Sequence, residues 1–117
     1  MNPYLDPHHN PRMQIQVKLE TWDKYDCLID TGFSGGIALP DLSSRKLKQK
    51  PIAFQEYELA DGSHKVFELY KLRAKFNLLE KIVTAFFTNS REGLVGIEFL
   101  TGFYLHLNLR SFSVKLE

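Results

Sequence analysis

The strongest constraint on this chain is a period of two in its apolar residues, repeated in short runs along most of its length. Met13, Ile15, Val17 and Leu19 alternate with Gln14, Gln16, Lys18 and Glu20, so a strand here buries one face and wets the other. Phe103, Leu105, Leu107 and Leu109 repeat the pattern, and Phe112, Val114 and Leu116 carry it to the end. Between them lie residues 25–29, the short run Ile37-Ala38-Leu39 stopped by Pro40, residues 54–59, residues 66–76, and residues 82–88, rich in β-branched and aromatic side chains. Thr21-Trp22-Asp23-Lys24 reads as a turn. Asp61-Gly62 between two apolar runs predicts a hairpin with a type I′ turn, positive in φ at both central residues. Alternation falters within residues 66–76, which predicts a bulge. A helix is predicted after Asp41 as N-cap, with Leu42 and Leu47 on one side and Pro51 as its stop. Many short strands, closely spaced turns and one or two short helices predict an all-β closed barrel.

A length of 117 residues suits one domain. Pro3, Pro7 and Pro11 mark residues 1–12 as a flexible leader, leaving residues 13–117 as the domain. Net charge is +1, and no basic stripe with interleaved aromatics is present, which argues against nucleic acid as a partner. The one basic run, Arg45-Lys46-Leu47-Lys48-Gln49-Lys50, reads as a solvated face. Nothing approaches the ~18 consecutive apolar residues of a membrane span. The N-terminus has no signal-peptide pattern, so no membrane partner and a cytoplasmic location are expected. Cys27 is the single cysteine and has no partner for an intrachain disulfide. It lies in an apolar run and reads as a small buried hydrophobe. Asp6, His8 and His9 are the candidate metal ligands, but adjacent histidines point apart in an extended chain. No metal and no other cofactor is expected.

The chemistry concentrates at Asp30-Thr31-Gly32. Asp30 follows the apolar run Cys27-Leu28-Ile29, so a rigid strand delivers a carboxylate to a loop that solvent can reach. Thr31 brings a hydroxyl, and Gly32 permits close backbone approach. Read alone, the three residues could equally close a strand as an ordinary turn.

Their surroundings narrow the choice. Leu28-Ile29-Asp30-Thr31-Gly32-Phe33-Ser34-Gly35 resembles the active-site loop of retropepsin-like aspartic proteases of the small prokaryotic single-domain kind. Leu94-Val95-Gly96, about sixty residues on, resembles the family's second hallmark, which packs behind that loop. Phe99-Leu100 and a return strand follow as the family requires. The Asp61-Gly62 hairpin lies where the family places its substrate-covering flap, and Ile37-Ala38-Leu39-Pro40 resembles the stretch after the loop in prokaryotic members. The resemblance spans residues 14–116.

It implies a retropepsin-like barrel and an aspartic endopeptidase acting on peptide or protein substrates. Such chemistry activates a water between two carboxylates that share a proton. This chain has one Asp-Thr-Gly, so the resemblance implies a homodimer with Asp30 facing its symmetry mate. Thr31 would brace the two loops across the axis, and Gly32 would help hold the carboxylates coplanar. Phe33, Ala60, Asp61 and Gly62 would bind substrate, with Ile37, Val95 and Ile97 as further candidate pocket walls. Viral members follow the second glycine with an arginine that ties the dimer together; Ile97-Glu98 stands there in this chain. The alternative reading is a non-catalytic module that keeps the fold and binds peptides or proteins.

Overall fold

The computed structural model describes residues 2–117, with Arg45 described by its backbone alone, so the Arg45 side chain of the basic run and Met1 of the leader lie outside the described residues. Ten strands form: β1 (Tyr4–Leu5), β2 (Pro11–Lys18), β3 (Trp22–Ile29), β4 (Ile37–Pro40), β5 (Ala53–Glu58), β6 (His64–Phe76), β7 (Leu79–Thr88), β8 (Gly93–Val95), β9 (Leu105–Asn108) and β10 (Ser113–Leu116). Six of them close a barrel in the order β2-β3-β8-β4-β7-β6, with β6 returning to pair with β2. The all-β closed barrel read from the alternation is the observed fold. Most ladders are antiparallel; β3–β8 and β4–β7 are parallel.

The long strand β6 serves two partners. Its second half pairs with β7, and its first half pairs with β5 as a hairpin that projects beyond the barrel. Its faltering alternation is a change of buried face. Phe67 and Leu69 are buried on one face, whereas Leu72, Ala74 and Phe76 are buried on the other. The expected bulge is therefore a switch between two cores, with the strand itself unbroken. Met13, Ile15, Val17, Ile37, Leu39, Val83, Val95 and Phe99 belong to the core that fills the barrel. Ala38, Phe67, Leu69 and Phe86 make a second cluster, joined by Phe33, Tyr57 and Leu94. Neighbouring residues of a strand point to opposite faces. Ala38 beside Ile37, Phe86 beside Ala85 and Leu94 beside Val95 thus put the second cluster on the outer side of the barrel wall, beneath the β5–β6 hairpin.

Several local expectations are corrected. Gly62 alone of the tip residues has positive φ (85°), the Gly62 N–H donates to the Leu59 carbonyl (2.9 Å), and the Leu59 N–H donates to the Ser63 carbonyl (2.7 Å). That is a three-residue loop closed by a left-handed glycine, in place of the predicted type I′ turn. The helix after Asp41 is a 3₁₀ helix over Asp41–Lys46, with Pro40 at its cap position and no side-chain cap. The Ser44 hydroxyl folds back onto the Asp41 carbonyl (2.7 Å), a local bond that competes with longer helix. β3 begins at Trp22, inside the expected turn. Leader residues contribute β1, which pairs with β2 through Tyr4↔Arg12, and β2 itself starts at Pro11. Arg12 anchors this corner, its Nε 3.0 Å from Asp26 Oδ1 and its Nη1 3.1 Å from Glu92 Oε1. Asp6 closes the preceding turn by accepting the N–H groups of His8 (2.9 Å) and Asn10 (3.0 Å), and His9 stacks on Phe112.

Cys27 lies fully inside, with Gly93 of β8 opposite it. A Cβ at Gly93 would come within 2.7 Å of the sulfur, so the glycine makes room for the thiol. Burial, and after it the nearby Asp26 carboxylate, pushes the thiol up to about 12. Since the thiolate is the reacting species, native protein at pH 8 is expected to resist a thiol reagent such as iodoacetamide. The urea-unfolded chain should take up one label, as read by mass spectrometry.

Candidate active site

β3 ends at Ile29, and the next residue is Asp30. Its N–H donates to the Val95 carbonyl (2.9 Å), which carries the β3–β8 pairing one step past the strand. The chain then turns: the Phe33 N–H donates to the Asp30 carbonyl (3.1 Å), and the Gly32 N–H donates to Asp30 Oδ1 (2.9 Å). One carboxylate oxygen is thus held by backbone. The turn is tied to the short helix α1 (Ile97–Leu100). Amides at the start of a helix have no intrahelical acceptor. Here the Ile97 N–H donates to the Phe33 carbonyl (2.8 Å), the Glu98 N–H to the Gly35 carbonyl (3.1 Å), and the Gly96 N–H to the Gly36 carbonyl (2.8 Å).

So close an approach needs glycine. A Cβ on Gly96 would sit 2.3 Å from the Gly35 carbonyl oxygen and 2.6 Å from that of Phe33; one on Gly36 would sit 2.4 Å from the Thr84 carbonyl oxygen. Glu98 then bolts the corner to β7, its Oε1 accepting the Thr84 N–H (2.6 Å) and the Thr84 hydroxyl (2.8 Å). At the other end of α1, Lys81 Nζ donates to the carbonyls of Phe99 and Thr101, each at 2.7 Å. A cation there also suits the negative end of the helix.

Between this turn and the β5–β6 hairpin opens a cleft of about 500 Å³. Asp30, Gly32 and Phe33 line one side, Ala38, Phe86 and Leu94 the barrel wall, and Tyr57, Ala60, Lys65 and Phe67 the hairpin. The aromatic rings brace one another. Phe33 meets Phe86 edge-on at 5.5 Å, and Tyr57 stacks on Phe86 at 4.9 Å. Tyr57 spans from the hairpin to the Asp30 turn, its hydroxyl 3.3 Å from where a Cβ on Gly35 would lie. Burial first, and then the Glu98 carboxylate, raise its hydroxyl above the ordinary tyrosine range. At the hairpin tip, the Ser63 hydroxyl and amide both donate to Asp61 and hold its carboxyl below the usual range.

The residues singled out from the sequence fall in three places. Asp30, Gly32, Phe33 and Ala60 line the cleft, whereas Asp61 and Gly62 sit at the tip beyond its lining. Thr31 is exposed on the far side of the turn, in a separate groove with Ile97, Leu100, Phe103 and Leu105. Ile37 and Val95, expected as walls, are fully buried in the barrel core, and Ile97 lies in the Thr31 groove. The walls are their neighbours Ala38 and Leu94. Tyr57, Phe67, Phe86 and Lys65 were missed; a clue lay in the aromatic residues on both arms flanking Asp61-Gly62.

The chain is similar in structure to a retropepsin-like aspartic protease from Rickettsia conorii, with a TM-score of 0.70 at 15% identity over 99% of this chain and 87% of that one. It is also similar to the simian foamy virus (mac) protease, with a TM-score of 0.57 at 16% identity over 76% of this chain and 90% of that one. No protein-family model and no curated protein sequence matches it. The fold is retropepsin-like, and its barrel is the one those proteases share.

Gly96→Ala is expected to force the α1 corner away from the Asp30 turn, because the clash is with backbone that cannot swing aside. Overpacking of this kind costs about 1–3 kcal/mol, which urea denaturation of the variant beside the parent would measure.

Proposed function

We propose that this protein is an aspartic endopeptidase whose catalytic unit is a homodimer. The observation that carries the reading is the Asp30 carboxylate, fixed through Oδ1 by the Gly32 amide beside a roofed, largely apolar cleft. A roofed cleft with strand edges suits an extended peptide bound by backbone hydrogen bonds. Hydrolysis then needs a second carboxylate close to the first, so that the pair shares one proton and serves as base and acid to an attacking water. Glu58 is the other acidic residue of the cleft lining, but it alternates with Tyr57 and belongs to the outer face of the hairpin. The second carboxylate is therefore assigned to Asp30 of another copy, and the two titrate as a pair.

The exposed apolar surface supports that assignment. Among the described residues β9 and β10 pair only with each other, and their hairpin leaves Leu107, Leu109 and Phe112 about half exposed (46%, 58% and 57%). Leu105 and Leu116 pack this hairpin on the barrel core and His9 stacks on Phe112, and the apolar surface still exposed benefits from cover. The Thr31 groove, near 190 Å³ and bordered by Leu105 at the start of β9, continues this surface up to the Asp30 turn. A two-fold mate seated there would place the Asp30 turns side by side. The second reading, a non-catalytic peptide-binding module, is favoured by one observation: floor, wall and roof of the cleft all come from a single chain.

Asp30→Asn is expected to abolish cleavage of a casein or fluorogenic peptide substrate, at least a thousandfold below the parent, while circular dichroism and melting temperature stay unchanged. Retained cleavage in that variant rules out the protease reading. Sedimentation velocity at micromolar concentration is expected to show a dimer for both proteins. A monomer across that range would select the binding module.

A further inference from the structure

The cleft has one feature that general proteolysis does not require. Tyr57 pairs with Lys65 in the β5–β6 register, and Lys65 shares a strand face with Phe67. Side chains of one face lie on the same side of the sheet. Lys65 therefore hangs on the cleft side of the hairpin with Tyr57 and Phe67, and all three line the cleft. The other charged residues of the hairpin arms, Glu56, Glu58, His64 and Glu68, take the alternate face, Glu58 bordering the cleft at the end of β5. There His64 Nδ1 stands 3.4 Å from Glu56, and Glu68 accepts the Tyr70 hydroxyl at 2.9 Å.

Lys65 has no ion-pair partner among the described residues. Its ammonium lies 5.0 Å from the centre of the Phe67 ring. Lys46 and Lys48, by contrast, pair with Asp23 and Glu20. Lys65 also borders an adjoining groove of about 360 Å³ that holds Asp41, Ser44, Glu68 and Tyr70, so it stands at the exit of the cleft. Its side chain is exposed there, so its charge acts at short range and is screened by salt. It favours a carboxylate placed beside it and disfavours a second cation.

We propose that Lys65 selects peptides carrying a carboxylate close to the bulky apolar side chain that the aromatic cleft accepts. The carboxylate belongs to a Glu or Asp residue or to the free C-terminus of the peptide. This rests on the reading of the cleft as a peptide site. In an extended peptide, successive side chains point to opposite sides. One that seats its apolar residue against Phe86 and Leu94 turns a neighbour toward the roof, where Lys65 waits.

The test uses full-length protein and a fluorogenic peptide series built around one Phe. Glu, Gln or Lys is moved through the positions on either side, each peptide made with a C-terminal acid and a C-terminal amide. Cleavage is measured as kcat/KM for the parent, Lys65→Gln and Lys65→Glu. Binding of the same peptides to Asp30→Asn, with and without each Lys65 change, is read by fluorescence anisotropy. At one flanking position the parent is expected to favour Glu over Gln by about fivefold to tenfold and to disfavour Lys. The preference should level in Lys65→Gln, reverse in Lys65→Glu, and shrink at high salt. If only the acid-ended peptides respond to Lys65, the C-terminal carboxylate is the group it reads. Cleavage indifferent to peptide charge, or a preference unchanged in Lys65→Glu, overturns the proposal and leaves the protease reading standing. Binding that depends on Lys65 without cleavage by the parent overturns the protease reading and leaves this one. Peptides that are neither bound nor cut overturn both.

Discussion

Backbone hydrogen bonds join the Asp30 turn to the strand-to-helix corner at Gly96, and the rest of the site is placed relative to them. The bonds from Asp30 to Val95, from Gly96 to Gly36 and from Ile97 to Phe33 unite segments far apart in sequence into one rigid piece. Each satisfies a group that would otherwise be stranded at the end of a strand or the start of a helix. The glycines at 36 and 96 are the condition for that contact, because the segments pass at distances no side chain allows. Side chains add two ties to β7, Glu98 to Thr84 at one end of the helix and Lys81 to the Phe99 and Thr101 carbonyls at the other, so the turn, the helix and the barrel wall share one frame.

From that frame follows a division of labour between the faces of single strands. In β4, β7 and β8 one set of residues fills the barrel and the next set forms the wall of the cleft. The same strands thus supply the barrel core inward and the cleft wall outward. β6 makes the arrangement possible by leaving the barrel at Tyr70 and continuing into the covering hairpin. Its buried face switches at that point, and Phe67 and Tyr57 come to lie on Phe86. The aromatic cluster is a small second core whose outer edge is left open beside Asp30.

Much of this was legible in the sequence. Period-two alternation gave the strands, and the Asp30 turn, the glycine at 96 and the hairpin near Gly62 occupy the places their neighbours implied. What escaped is which face of a strand meets the cleft. Ile37-Ala38-Leu39 and Leu94-Val95 are apolar at successive positions because both faces are buried, so alternation carries no phase there. Without that phase the sequence points to Ile37 and Val95 as walls, whereas Ala38 and Leu94 fill the role. Lys65 was invisible for a related cause: its meaning depends on cross-strand register with Tyr57, which the three-residue loop sets and a two-residue turn would have shifted. The 3₁₀ helix at Asp41 shows local serine hydrogen bonding overriding a helix pattern too short to nucleate well.

The buttress behind Asp30 also has a consequence in time. Residues 93–98, which hold the turn in place, are made about sixty residues after Asp30 itself. Domains generally fold as units, and here the Asp30 turn lacks its partners until residues 93–98 are made. The pairing of β3 with β8 joins residues distant in sequence, a kind of contact that forms late and slowly. A growing chain therefore carries the Asp30 carboxylate before the pairing that holds its turn is in place. The turn is fixed only once β8 and the start of α1 have been made and paired.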